Sequence, residues 1–280
     1  MFDFFQAVLN HSFMQNALLA GLLAAIACGI TGTYVVVKRI GYITGGISHS
    51  VLGGMGIAYF MRINPLYGAV TAAVLAALLI GIISLKAKQH EDTIIGALWA
   101  VGMAVGVIFI SRTPGYNIDL MSYLFGNILM VSRENILLIA ILDVLIIIIV
   151  YLFYKRFLAV SFDEEHSALQ GINIGFTYLL LLCIIALTVV ILIQVVGLIL
   201  VIALITLPAS IAAHYTNSLK TMMLWAVIIG MFLTTGGLAL SYEPDFPSGS
   251  VIVLLAGAIY ILSVLFHKPI NRLLGKKTGH

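Results

Sequence analysis

The stretch ILLIAILDVLIIIIVYLF, from Ile136 to Phe153, sets eighteen residues in a row with a single charge, Asp143. As helix it would be about 27 Å long, close to the thickness of a bilayer's hydrocarbon core. It shows none of the apolar–polar alternation of a membrane β-strand. In lipid the backbone must satisfy its own hydrogen bonds, which leaves a helix. Similar runs recur along all 280 residues, and the chain is 62% hydrophobic and 9% charged. Soluble domains are nearer half apolar and a quarter charged. The expectation is an all-α polytopic membrane protein forming one transmembrane domain over residues 1–280.

Runs and breaks predict about nine spans: 14–37, 46–61, 66–85, 93–111, 135–154, 174–193, 197–214, 221–241 and 250–266. Residues 179–213 are almost wholly apolar and, at roughly 50 Å, too long for one helix across the core. A turn at Gln194–Gly197 divides them; a single long or re-entrant element there would give eight spans instead. Eleven basic residues (Lys38, Arg39, Lys86, Lys88, Lys155, Arg156, Lys220, Lys268, Arg272, Lys276 and Lys277) then fall on one side, against Arg62, Arg112 and Arg133 on the other. The positive-inside bias predicts an outer N-terminus and a cytoplasmic C-terminus. The first 37 residues hold no Lys or Arg, so no cleavable secretory signal is expected. Cys28 and Cys183 lie in apolar runs at no metal-type spacing and read as buried small hydrophobes.

Several chemistries have no support. The sequence has no GxxxxGK[ST] phosphate cradle, no HExxH zinc helix and no GxSxG nucleophile elbow. No basic cluster is large enough for nucleic acid. Energy for pumping must come from a partner chain or an ion gradient, so a non-catalytic transport subunit leads.

Ionisable groups within a span are costly and are functional candidates. Two stand out, Asp143 and His49. The imidazole sits in GGISHSVLGGMG, Gly45 to Gly56. At 100° per residue, Gly45, Gly46, Gly53 and Gly56 all fall within about 60° of His49 on a helix. Such a face either lets helices pack closely or leaves space and bare carbonyls along a passage. Packing explains glycines but not the imidazole. On the same side of the membrane, Glu91 and Asp92 open the fourth span, and Asp92 also suits a helix N-cap. Imidazole with carboxylate fits a divalent zinc, manganese or iron ion, making His49, Asp92, Glu91 and Asp143 candidate metal residues.

Two loops exceed simple turns. The outer one, 111–134, carries a Pro-Gly turn and an aromatic-rich piece. The inner one, 154–173, contains Ser161-Phe162-Asp163-Glu164 opening a short helix over 161–172, with Gly171 suited to a left-handed cap. It has the form of a docking element or of a solvated interfacial helix.

The segments VVVKRIGYITGGISHSVLGGMGIA, EDTIIGALWAVGMAVGVIFI, PGYNIDLMSYLFGNIL, SFDEEHSALQGI, QVVGLILVIALITLPASIA and PSGSVIVLLAGAIYIL resemble, in order and over nearly the full chain, the permease subunits of bacterial ABC transporters for zinc, manganese and iron. The resemblance implies a fold related to cobalamin and siderophore permeases, in the bacterial cytoplasmic membrane. It implies a homodimer, two cytoplasmic ATP-binding subunits and an extracytoplasmic metal-binding protein. The divalent ion is substrate, with no permanently bound cofactor. Asp163, Glu164, Ala168 and Gly171 match the coupling-helix pattern, and His49 and Asp92 match pathway residues. Many members carry an aspartate four residues before the histidine, where this chain has Gly45. Rival expectations are a permease for a metal chelate or cobalamin, an ion-coupled secondary transporter, and a membrane scaffold.

Overall fold

The structure is a computed structural model and describes residues 2–86, 91–113, 126, 128–198 and 201–273. These form eleven α-helices: α1 (Phe2–Asn10), α2 (Ser12–Lys38), α3 (Gly41–Phe60), α4 (Pro65–Lys86), α5 (Glu91–Ser111), α6 (Arg133–Phe162), α7 (Glu164–Leu169), α8 (Ile174–Val196), α9 (Val201–Tyr215), α10 (Leu219–Tyr242) and α11 (Ser248–Leu273). A 3-10 turn, Ile128–Met130, precedes α6. The aromatic-rich piece expected in the outer loop falls at 114–125, outside the described residues.

Seven helices are long and apolar enough to cross a membrane: α2, α4, α5, α6, α8, α10 and α11. The expected count of nine is corrected on that criterion. Helices do stand at the two other expected positions, but α9 has 15 residues. α3 has 20, and its glycines, serines and histidine lower its apolarity. Such a sequence is accommodated because α3 is packed between α4 and α5.

α2 and α8 are buried within the protein over most of their length. α2 is surrounded by α6, α8, α9 and α10, and α4 packs on α8. The break anticipated at Gln194–Gly197 is present. α8 ends at Gly197, whose φ of 79° is in the region glycine tolerates best. Short α1, which the span pattern did not anticipate, buries Phe4 edge-on against Tyr242.

α6 runs eight residues past its expected end at 154. Nothing in KRFLAVSF breaks a helix, and Phe157 is fully buried against Tyr34, with ring centroids 5.6 Å apart. Its 30 residues span roughly 45 Å, well beyond an apolar core of about 30 Å.

That extension corrects the inner helix. Ser161 and Phe162 finish α6 rather than opening the next helix, and α7 is a six-residue helix rather than a 161–172 element. Asp163 joins the two by accepting a hydrogen bond from the His166 amide at 2.8 Å. Gly171 adopts the left-handed conformation expected of it, with φ 76°.

Candidate functional site

α2 and α3 are joined by a tight corner. Arg39 turns left-handed at φ 59°, and the Ile40 amide reaches back to the Val35 carbonyl at 3.0 Å. α3 thus departs from the end of a core helix in a set direction. Ser48 and Ser50 are satisfied along it, donating to the Thr44 and Gly46 carbonyls at 2.8 Å. Ser50 also donates across to the Leu98 carbonyl of α5 at 3.3 Å.

The glycine face packs against neighbouring helices. A Cβ at Gly53 would stand 2.9 Å from the Gly102 carbonyl oxygen, and one at Gly56 2.6 Å from that of Gly106. A Cβ at Gly46 would run into Ile95 of α5. On the far side Gly54 meets the Gly68 backbone of α4. α3 and α5 run parallel in a register that shifts by one residue along the seam: 46 beside 95, 53 beside 102, 56 beside 106. The stripe is therefore half of a two-helix seam. The other half is Gly102-xxx-Gly106 of α5, legible as a small-residue pair but not singled out from the sequence. Of the two readings of these glycines, close packing describes what is present around Gly46, Gly53 and Gly56.

Gly45 differs. A Cβ there would meet the Ile202 side chain of α9 at 2.8 Å and the Trp99 ring at 3.3 Å. Residues of α3, α5 and α9 converge on this point, and His49 lies one turn above it. The imidazole is 7% exposed and stacks on the Trp99 indole, with centroids 3.9 Å apart and planes 12° from parallel. Its Nδ1 is buried and has no hydrogen-bond partner among the described residues. A buried polar atom left unpaired costs about 1–3 kcal/mol. Face-on stacking fixes the ring plane, leaving the nitrogens as in-plane donors of the type that binds borderline divalent ions.

The other candidates do not gather around this ring. The α3–α5 register puts Asp92 level with Tyr42 or Ile43, about 10 Å along the axis from His49. Ligands of one ion lie about 2 Å from it, so Asp92 does not join His49 within the chain. α5 begins at Glu91, which places exposed Asp92 inside the first turn, rather than at the N-cap; an acid there complements the helix dipole. The Glu91 side chain lies outside the described residues.

Asp143 is 3% exposed, on an α6 that packs against α2 and α8, within electrostatic reach of Cys28. Neither of its carboxyl oxygens has a hydrogen-bond partner among the described residues. Among those residues no three His, Cys, Asp or Glu side chains come together as a metal cage. The candidate site of one chain is thus a single imidazole on an aromatic shelf.

The family model described as the ABC 3 transport family matches residues 10–267. The chain belongs to that family. It is 44% identical over 260 residues to the membrane protein slr2045 of Synechocystis, covering 93% of this chain and 92% of that one. It is 34% identical over 274 residues to the manganese transport system membrane protein MntC of Listeria monocytogenes, covering 98% of each. Among solved structures it matches PsaBC from Streptococcus pneumoniae in complex with Fab, at a TM-score of 0.88 and 29% identity, over 97% of this chain and 98% of that one.

Two features of this ABC 3 family chain could not be read from residue spacing. One is the Trp99 shelf. The other joins the end of α2, at the corner before α3, to the inner loop. Lys38, the last residue of α2, donates to Glu164 of α7 and to the Val160 carbonyl of α6, each at 2.9 Å. Its ammonium also lies 5.5 Å from the centre of the Tyr178 ring of α8. The ion pair spans 126 positions of sequence, so no local pattern announces it.

Proposed function

We propose that this chain is the membrane-spanning subunit of an ATP-driven importer of divalent transition-metal ions. The observation that carries the reading is His49: buried, held flat on Trp99, with an unsatisfied ring nitrogen, in a chain of a transport family whose relative MntC is named for manganese. Two copies form the pathway. Among the described residues one chain offers too few ligands for a cage, and a second copy would supply a second imidazole; conduction requires that the ion be held weakly enough to leave. ATP hydrolysis resides in two separate cytoplasmic subunits, and a metal-binding protein delivers the ion from outside.

In this reading α3 and α9 also traverse the membrane, shielded by neighbouring helices, which restores nine crossings with the N-terminus outside. α7, with Asp163, Glu164, Ala168 and Gly171, is the docking helix for the ATP-binding subunit. A push on α7 reaches the corner from which α3 departs through the Lys38–Glu164 pair. Asp92 lies at the cytoplasmic mouth as an acidic exit position. Asp143 is buried apart from this path and is a secondary candidate.

The test is uptake of radiolabelled zinc, manganese and iron(II) by the permease–ATPase complex reconstituted in vesicles with its binding protein. His49→Ala is expected to abolish uptake while the complex still assembles and hydrolyses ATP. Unchanged uptake by an assembled His49→Ala complex would refute the ligand role.

A further inference from the structure

At the end of α6 that carries Lys155 and Arg156, a groove of about 730 Å³ opens between α2, α6 and α10. Its floor is apolar, formed by Ile30, Val150 and Met223. Its rim carries Lys155, Arg156 and Lys220, all exposed, and among the described residues no carboxylate lines it. Two cations are steered by rings: the Lys220 ammonium lies 5.2 Å from the centre of the Tyr154 ring, and the Arg156 guanidinium 5.4 Å from that of Phe153. Among the described residues none of the three is in an ion pair.

We propose that this groove is a binding site for an anionic phospholipid, with the phosphate on the three cations and an acyl chain along the apolar floor. The inference rests on the orientation proposed above, which puts this end at the cytoplasmic leaflet. A basic rim over an apolar cleft between membrane helices has the charge and polarity of such a lipid. Tyr151 and Tyr154 add amphipathic rings of the kind that sit at headgroup level. A free anion would use the rim alone and gain nothing from the floor. A second copy packed groove against groove would set the same three cations against each other. The occupied groove would brace α10 against α6 beside the inner loop.

The test is native mass spectrometry of the whole permease–ATPase complex released from nanodiscs of phosphatidylcholine and phosphatidylglycerol mixed four to one. Phosphatidylglycerol is expected to remain bound in preference to phosphatidylcholine, and 50 mM inorganic phosphate should not displace it. Each of Lys155→Gln, Arg156→Gln and Lys220→Gln should lower retention by roughly fivefold, and the triple variant should abolish the preference. Equal retention by wild type and the triple variant would overturn the proposal. So would displacement by phosphate, or spontaneous cross-linking of Tyr151→Cys between copies, which would show protein in the groove. If the triple variant fails to assemble, Lys220→Gln alone gives the same readout. Because it measures bound lipid and not transport, the result is separable from failure of the transport reading.

Discussion

Lys38 and Glu164 are joined by a 2.9 Å ion pair that ties the last residue of α2 to the first residue of α7. The lysine side chain is 8% exposed and the glutamate 43%. Only Arg39 and Ile40 separate Lys38 from the start of the helix that carries His49. The contact therefore ties α7 to the corner from which the site helix departs.

Glu164→Gln retains an acceptor but removes the charge, whereas Lys38→Met also leaves the Val160 carbonyl without its donor. Lys38→Met is expected to cost more, on the order of 1–3 kcal/mol, seen as a thermal midpoint several degrees lower. Both should lower metal uptake per ATP hydrolysed, Lys38→Met by about tenfold. Parallel uptake and ATPase assays check this; an unchanged ratio in both variants would exclude the coupling role.

At the α3–α5 seam the outcome depends on backbone proximity. Gly56→Val places a branched side chain where even a Cβ would be 2.6 Å from the Gly106 carbonyl oxygen. It is expected to prevent recovery of a monodisperse complex, because backbone cannot yield as a side chain does. Gly257→Ala, which meets nothing within 4 Å, should be neutral. Size-exclusion profiles in detergent separate the two.

Gly45 lacks the carboxylate that the resembling family often carries one turn before the histidine, and Ile202 fills the space. Gly45→Asp combined with Ile202→Ala should supply a hard oxygen beside the imidazole. Uptake of manganese relative to zinc is expected to rise several-fold, since carboxylate suits manganese and imidazole suits zinc. Competition between the two labelled ions measures the ratio.

Trp99→Leu removes the shelf under His49 but leaves an apolar side chain of useful volume. Assembly should persist, and metal uptake should fall by about tenfold, because the imidazole loses its fixed plane. Trp99→Phe, which keeps a stacking face, should recover most of the loss. Equal activity of the leucine and phenylalanine variants would show that the stack has no positioning role.

Membrane residence, all-helical class, the α8–α9 break and the left-handed Gly171 were legible in the chain because each has a local cause. Lipid imposes long apolar runs, and a positive φ favours glycine. The crossing count was less legible, since α3 draws tolerance for its polar residues from the helices packed around it. The end of α6 was misplaced because Phe157 finds Tyr34 more than a hundred residues away in sequence.

By itself the sequence also determined that His49 is unusual, since an imidazole among glycines in an apolar setting has no local explanation. Only the tertiary structure decided what surrounds it. The α3–α5 register turned the glycines into one half of a backbone seam, set Trp99 under the ring, and placed Asp92 about 10 Å further along the helix axis. Side-chain neighbours across helices depend on register and rotation, which many different sequences satisfy equally well. Spacing within a single helix carries no information about either.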